Sequence, residues 1–149
     1  MQYLLSAREM KQIDKNTIEV FGVPSLVLME RAALCVVEVI KKETADAKRT
    51  LVVCGTGNNG ADGVAAGRIL QGRGYNVSLL LVGNPEHDSE EMKTQKQIAR
   101  NLDLAQCTAA EYQEAPCDII LDAVFGIGLG RESGGECGKV LEMRASVRE

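Results

Sequence analysis

The chain has 149 residues, of which 45% are hydrophobic and 26% charged, a composition and length that fit one globular domain. A net charge of −4 and aromatics at only 3% argue against a nucleic-acid surface, which needs a basic excess or stacking rings. A single histidine, His87, disfavours His-rich zinc sites and Ser-His or Cys-His catalysis, and five cysteines without a Cys-x-x-Cys motif point to a reducing compartment.

Ser6 followed three residues later by Glu9 has capping-box spacing, and Met10, Ile13, Thr17 and Val20 then recur on one helical face. Gly22 ends this helix. Pro24 and Ser25, with Ser25 as a candidate N-cap, open a second helix whose residues 26–40 are apolar on most sides, which predicts burial between layers. Its charges at Glu30, Arg31 and Glu38 make it unsuited to crossing a bilayer, and no signal peptide precedes it, so a soluble cytoplasmic protein without membrane partners is expected.

Alternation follows. Arg49–Cys54 reads as a strand, 61–71 as a helix, 75–82 as a second strand, and 89–102 as a helix with Met92, Ala99 and Leu102 facing inward. A short strand is expected at Ala105–Thr108 and a strong one at 118–125. A glycine-rich loop then leads to a helical pattern at 139–149. The fold class is α/β: a Rossmann-like three-layer fold with a mostly parallel sheet, helices on both faces and two helices in front. The strand 118–125 should lie beside the first strand. With three or four strands where such sheets carry five or six, the sheet is expected to be incomplete in this chain.

Gly55, Gly57 and Gly60 form G-x-G-x-x-G between the first strand and its helix, which suits either a tight turn or an anion cradle. The acidic residue that would hold a ribose at the end of the second strand is missing: Gly83, Asn84 and Pro85 follow Val82. Asp62, placed in the first helical turn, is unfavourable to a bare phosphate. With Asn58 and Asn59 it offers oxygens and amides to hydroxyls, an amide or a hard cation. Asp122 ends an apolar strand, as a turn acid or as a ligand to a cation or substrate, and Arg131 is a candidate phosphate partner or a solvated loop residue. His87, Cys117 and the charged residues from Glu86 to Glu91 are weaker candidates.

The run Gly55-Thr56-Gly57-Asn58-Asn59-Gly60-Ala61-Asp62-Gly63 with Arg68 resembles the signature of the NAD(P)H-hydrate epimerase family, the YjeF N-terminal domain. Ala7-Arg8-Glu9-Met10 with Ile13-Asp14, the run from Gly22 to Glu30, and the run from Asp122 to Leu129 agree with it in order. The resemblance implies interconversion of the R and S epimers of hydrated NADH or NADPH, so that a dehydratase driven by ADP or ATP, fused or separate, can restore the cofactor. It implies a potassium ion held by Asn59 and Asp122. It also implies a substrate pocket of Asn58, Asn59, Gly60, Ala61 and Asp62 with Gly126, Ile127, Gly128, Leu129, Gly130, Arg131 and Glu132, and a homodimer is a further expectation.

The sequence departs from the family pattern in three places. Ala61 replaces a glycine, at a cost of about 1 kcal/mol if that backbone is left-handed. Arg31 and Ala32-Ala33 replace Asn and Ala-Gly and are expected to alter that end of the pocket. The Asp-x-Pro-Ser-Gly segment, whose aspartate the family uses as acid/base, does not occur, so no catalytic residue is assigned and the chain alone is expected to be inactive. The alternatives are a non-catalytic Rossmann-like module binding a nucleotide or a protein, and half of an NAD-dependent oxidoreductase. The missing ribose-binding acid argues against the latter.

Overall fold

The computed structural model describes residues 4–44 and 49–126. Two helices come first: α1 (Ala7–Glu19) and α2 (Ser25–Glu43). Then follow β1 (Arg49–Cys54), α3 (Asn58–Gly72), β2 (Asn76–Leu81), a single 3-10 turn at Pro85–His87, α4 (Glu90–Asn101), β3 (Ala105–Thr108) and β4 (Ile119–Ala123). The expected helical pattern at 139–149 lies outside the described residues.

The caps explain the helix starts. Ser6 and Glu9 form the reciprocal capping box, and Ser89 accepts from the Met92 amide to start α4. Ser25 is the first helical residue of α2 rather than its cap, which is Pro24. The Ser25 hydroxyl instead donates to Glu91 Oε1 of α4 at 2.8 Å. Lys41 and Lys42 occupy the last turn of α2, where cations complement the helix dipole.

The four strands are parallel in the order β3-β2-β1-β4. β4 lies beside β1 as its pattern predicts, with Thr50 opposite Ile119 and Val53 opposite Asp122. β1 is central: Thr50 to Cys54 are all buried, because both faces of the strand are covered. Moving from β1 to β2 to β3, the chain passes through α3 and α4. It then reverses, and β4 lands on the other side of β1. A right-handed connection in each direction places the first two crossovers on one face and the return on the other.

The core follows that division. On one face Val52, Cys54, Val77 and Leu79 pack with Val64, Ala65 and Leu70 of α3, Met92 and Ala99 of α4, and Met29, Ala33 and Val37 of α2. On the other, Leu51, Val53, Leu80 and Val82 are covered by Ala109, Tyr112 and Cys117 of the return segment. Among the described residues that second cover is an irregular strap, where the strand–helix alternation predicts helices on both faces. A cavity of about 270 Å³ opens there, lined by Arg49, Asn76, Ser78 and Tyr112 at the N-terminal ends of β1 and β2.

Helix α3 is the hub. It packs against β1, β2 and β4 and against both α2 and α4. Its surface is correspondingly small-sided, with Gly60, Ala61, Gly63, Ala65, Ala66 and Gly67 buried. A methyl group on Gly63 would collide with the Cβ of Ala123 and press on Cys54 Sγ. Arg68 ties the three helices together: it pairs with Glu30 of α2 and donates to Gln95 Oε1 of α4 at 3.0 Å.

Burial on α2 is narrower than its composition suggests. Met29, Ala33 and Val37 form a buried stripe with a period of four, while Val27, Leu34, Val36 and Val39 are exposed. Leu102, expected inward on α4, is 51% exposed because it is the C-cap and the helix turns away there.

Gly63→Ala should destabilise the chain by about 1–3 kcal/mol, the usual cost of overpacking a tight contact. Gly57→Ala should be near neutral, because a Cβ there meets nothing within 4 Å among the described residues. Urea unfolding of the two variants side by side checks both.

Candidate functional site

The sheet order reverses between β1 and β4, and in open parallel sheets the carboxyl ends of the strands at that point form the ligand crevice. Both glycine loops leave from there. The first runs from Gly55 to Gly57 into α3; the second follows Ala123. They are stitched together at their roots. Gly55 N–H donates to Ala123 O at 3.1 Å, and the Cβ position of Gly126 lies 3.3 Å from Asn59 Cβ. The two loops thus share one mouth, as their strand-end positions predict.

The first loop is held from the other side as well. Thr56 O accepts from the Ser89 amide at 3.0 Å, and Thr56 Cγ2 lies 3.1 Å from the Cβ position of Gly83, which has φ +96°. Gly60 sits directly over Gly55, where any side chain would strike the Gly55 carbonyl oxygen. This contact pins the start of α3 onto the end of β1.

Helix α3 begins three residues earlier than its apolar pattern suggests, at Asn58, with Gly57 as an N-cap that makes no side-chain hydrogen bond. A helix start without a side-chain cap leaves amides facing the mouth and presents the positive end of the helix dipole. Asn58 is exposed, Asn59 half-buried, and Gly60 and Ala61 buried. Among the described residues, a Cβ on Gly57 would meet nothing within 4 Å, so Gly57 faces the open mouth.

Two expectations about this segment are corrected. Ala61 is an ordinary helical residue, since Asp103 is the one non-glycine residue with positive φ among the described residues. Ala61 therefore carries no left-handed strain. Asp62 lies in the second turn of α3 rather than the first, set back from the amides. Partial burial, aided by the nearby carboxylate of Asp14 on α1, pushes its acid up to about 6. Asp14 was part of the α1 motif, but nothing in its sequence spacing signals its approach to Asp62.

Asp122 is on the opposite side of its strand from α3. Its neighbours in sequence, Leu121 and Ala123, face the helix, whereas Asp122 pairs with Val53 on the strap-covered face. It is exposed, and its Oδ1 accepts from the Val124 amide at 3.0 Å, which closes the turn at the end of β4. Gly126 is exposed beside Asn59. Ile127, Gly128, Leu129, Gly130, Arg131 and Glu132 lie outside the described residues. Arg31 is exposed on α2 and lines a shallow groove with Leu26, Glu30 and Arg68, not the glycine loops. Among the described residues no three His, Cys, Asp or Glu side chains cluster as a metal site, and none of the helices is long and apolar enough to cross a membrane.

The sequence profile of the family described as YjeF-related protein N-terminus matches residues 25–146. The chain belongs to this family. A protein from Leuconostoc mesenteroides, named NAD(P)H-hydrate epimerase, is 45% identical over 129 residues, covering 87% of this chain and 58% of its own length. A Lentilactobacillus buchneri protein of the same name is 37% identical over 144 residues, covering 95% of this chain and 66% of its own. The chain spans a little over half the length of its Leuconostoc mesenteroides, Leuconostoc citreum and Leuconostoc kimchii relatives. The crystal structure of the yeast protein ynu0 superposes with a TM-score of 0.83 at 22% identity, over 99% of this chain and 66% of that one, so the two share a fold.

The raised Asp62 acid sets a pH dependence. Its folded value exceeds the unfolded one, so the folded state binds the proton more tightly and stability falls as pH rises from about 4 through about 6. Asp62→Asn should flatten that window and raise stability at pH 7 by about 1 kcal/mol, a figure reduced for the half-exposed position. Thermal unfolding between pH 4 and 8 measures it.

Proposed function

We propose that this chain supplies the nucleotide-binding part of an NAD(P)H-hydrate epimerase, acting in the cytoplasm on NADH or NADPH hydrated at the nicotinamide ring. The observation that carries this reading is the shared mouth of the two glycine loops at the sheet reversal, with the uncapped start of α3 opening into it. The relatives named for that activity support it.

Amides at an uncapped helix start suit a pyrophosphate. In this reading Asn58, Asn59, Gly60, Ala61 and Asp62 bind from the α3 side and residues 126–132 from the β4 side. Asn58 and Asn59 supply amide donors and acceptors to the sugar and the carboxamide. Asp62 is set one turn back from the amides of the helix start, which keeps its carboxylate away from the phosphates.

The chemistry of Asn59 and Asp122 fits a potassium ion, since an amide oxygen and a carboxylate are both hard ligands. When bound, such an ion would supply positive charge beside the dinucleotide. Epimerisation at the hydrated carbon moves its hydroxyl from one face to the other: the hydroxyl takes a proton from an acid and leaves as water, pushed out by the ring nitrogen, and water then adds to the opposite face and returns the proton. Because the sequence has no Asp-x-Pro-Ser-Gly segment, the 149-residue chain should bind without turning over. A dehydratase, fused or separate, is the partner that would consume the S epimer.

NADPH titrated against the isotope-labelled chain should shift the amides of Asn58, Asn59 and Gly60 at millimolar ligand or below. Gly57→Ala should weaken binding at least tenfold while leaving stability unchanged. Absence of shifts at 10 mM, or shifts confined to the strap-lined cavity, would sink the proposal. A second measurement addresses the ion: replacing tetramethylammonium by potassium at equal ionic strength should raise Tm by a few degrees in the wild type and not in Asp122→Asn. Equal responses in both proteins would remove Asp122 from the ion site.

A further inference from the structure

The strap face of the sheet changes character along the strands. Near their carboxyl ends Val53, Leu80 and Val82 are buried and apolar, as a covered face requires. Two to four residues back on the same face, by the strand period, stand Arg49, Asn76 and Ser78. The register makes them one patch: Arg49 lies opposite Asn76, and Leu51 opposite Ser78. They line the cavity of about 270 Å³ under the strap, with Tyr112 and Gln113 on its other wall. Tyr112 packs on the apolar cluster of Leu51 and Val53, which holds that wall in place. The polar groups inside are not used by the fold. The side chains of Asn76, Ser78 and Gln113 make no hydrogen bond among the described residues, although Ser78 is half-buried. Arg49 donates through Nε and Nη2 to the Asp118 carboxylate at 3.2 and 3.1 Å, which fixes the guanidinium and leaves Nη1 for another acceptor.

We propose that this cavity is a second ligand site and takes a neutral monosaccharide or cyclitol. Charge narrows the class first. Among the described residues no carboxylate lines the cavity, so a cation finds no ligand there. The guanidinium is already offset by Asp118, and Glu114 lies within electrostatic reach of Tyr112, so an anion is not favoured. A purely apolar ligand would cover two carboxamides and a hydroxyl without partners, which is costly. A ring with several hydroxyls satisfies them, because each carboxamide presents a donor and an acceptor side by side, the complement of two adjacent hydroxyls. A planar heterocycle is read along one edge. Here the unpartnered groups come from β1, β2 and the strap wall, which suits hydroxyls disposed around a ring. Leu51 and Pro116 offer its C–H face an apolar contact. The volume lies just under the roughly 300–1,000 Å³ of drug-sized ligand pockets, so a single ring fits. The site lies at the amino ends of β1 and β2, whereas the glycine loops leave the carboxyl ends, so it does not rest on the dinucleotide reading.

D-glucose, D-ribose and myo-inositol, titrated singly to about 100 mM against the isotope-labelled 149-residue chain, test it. At least one should shift the side-chain amides of Asn76 and Gln113 saturably, with a Kd of about 1–20 mM. The amides of Asn58, Asn59 and Gly60 should stay in place, and saturating NADPH should leave the sugar Kd within twofold. Asn76→Ala and Ser78→Ala should each raise that Kd at least fivefold, with the core amides of Val52 and Leu79 unmoved. Gln113→Ala, on the strap and outside the sheet, should do the same and keeps the test open if a strand variant unfolds. No saturable shift with any of the three compounds overturns the proposal. So does a response that all three variants leave unchanged, or tighter binding of uracil or inorganic phosphate in the cavity than of each of the three.

Discussion

The close approach of α3 to the β1–β4 pair is the contact on which the rest of the molecule depends. With Gly63 against Ala123 and Gly60 over Gly55, the helix axis lies nearer the strands than any larger residue would permit. The helix then touches three strands at once and still leaves both flanks for α2 and α4. An element covered on so many sides does not need a sharply one-sided apolar stripe. Its small buried residues replace large-residue interdigitation with backbone proximity. The same approach delivers the uncapped helix start to the place where the sheet order reverses, so packing and site geometry have one cause.

That placement creates an electrostatic compromise. The mouth combines the positive end of a helix dipole with Asp62 one turn further in and Asp14 approaching from α1. Partial burial disfavours the charged form of Asp62, the nearby Asp14 adds to it, and the acid of Asp62 rises in response. Stability is given up there, at the end of the sheet where ligands bind in folds of this type. The Arg68 contacts to Glu30 and Gln95 work in the opposite direction. They lie behind the site and hold α2 and α4 against the helix that carries it.

The two faces of the sheet are covered unequally. Helices protect one, while the return strap protects the other with Tyr112 and Cys117 above Leu51 and Val53. On the far side of α2, Leu34, Val36 and Val39 face outward. Packing on α3 explains which residues of α2 are core: the stripe of Met29, Ala33 and Val37.

Local rules were enough to read much of this from the sequence. The capping box at Ser6, the strand at Arg49–Cys54, the short strand at Ala105–Thr108 and the pairing of the last strand with the first all follow from neighbouring residues, strand period and the limited topologies of α/β chains. The meeting of the two glycine loops follows too, since both leave carboxyl strand ends. Other features depend on residues far apart in the chain. The start of α3 at Asn58 is set by Gly60 resting on Gly55, and no apolar period marks it. The helical backbone of Ala61 removes a strain that its motif position alone suggested. The raised acid of Asp62 comes from its burial in the fold, with a further contribution from Asp14 brought from 48 residues away. Composition counted α2 as apolar on most sides, but only the packing of α3 against one stripe decided which side is core. Propensity, period and capping act between near neighbours and are written in the sequence, whereas burial and pKa depend on what the fold brings alongside.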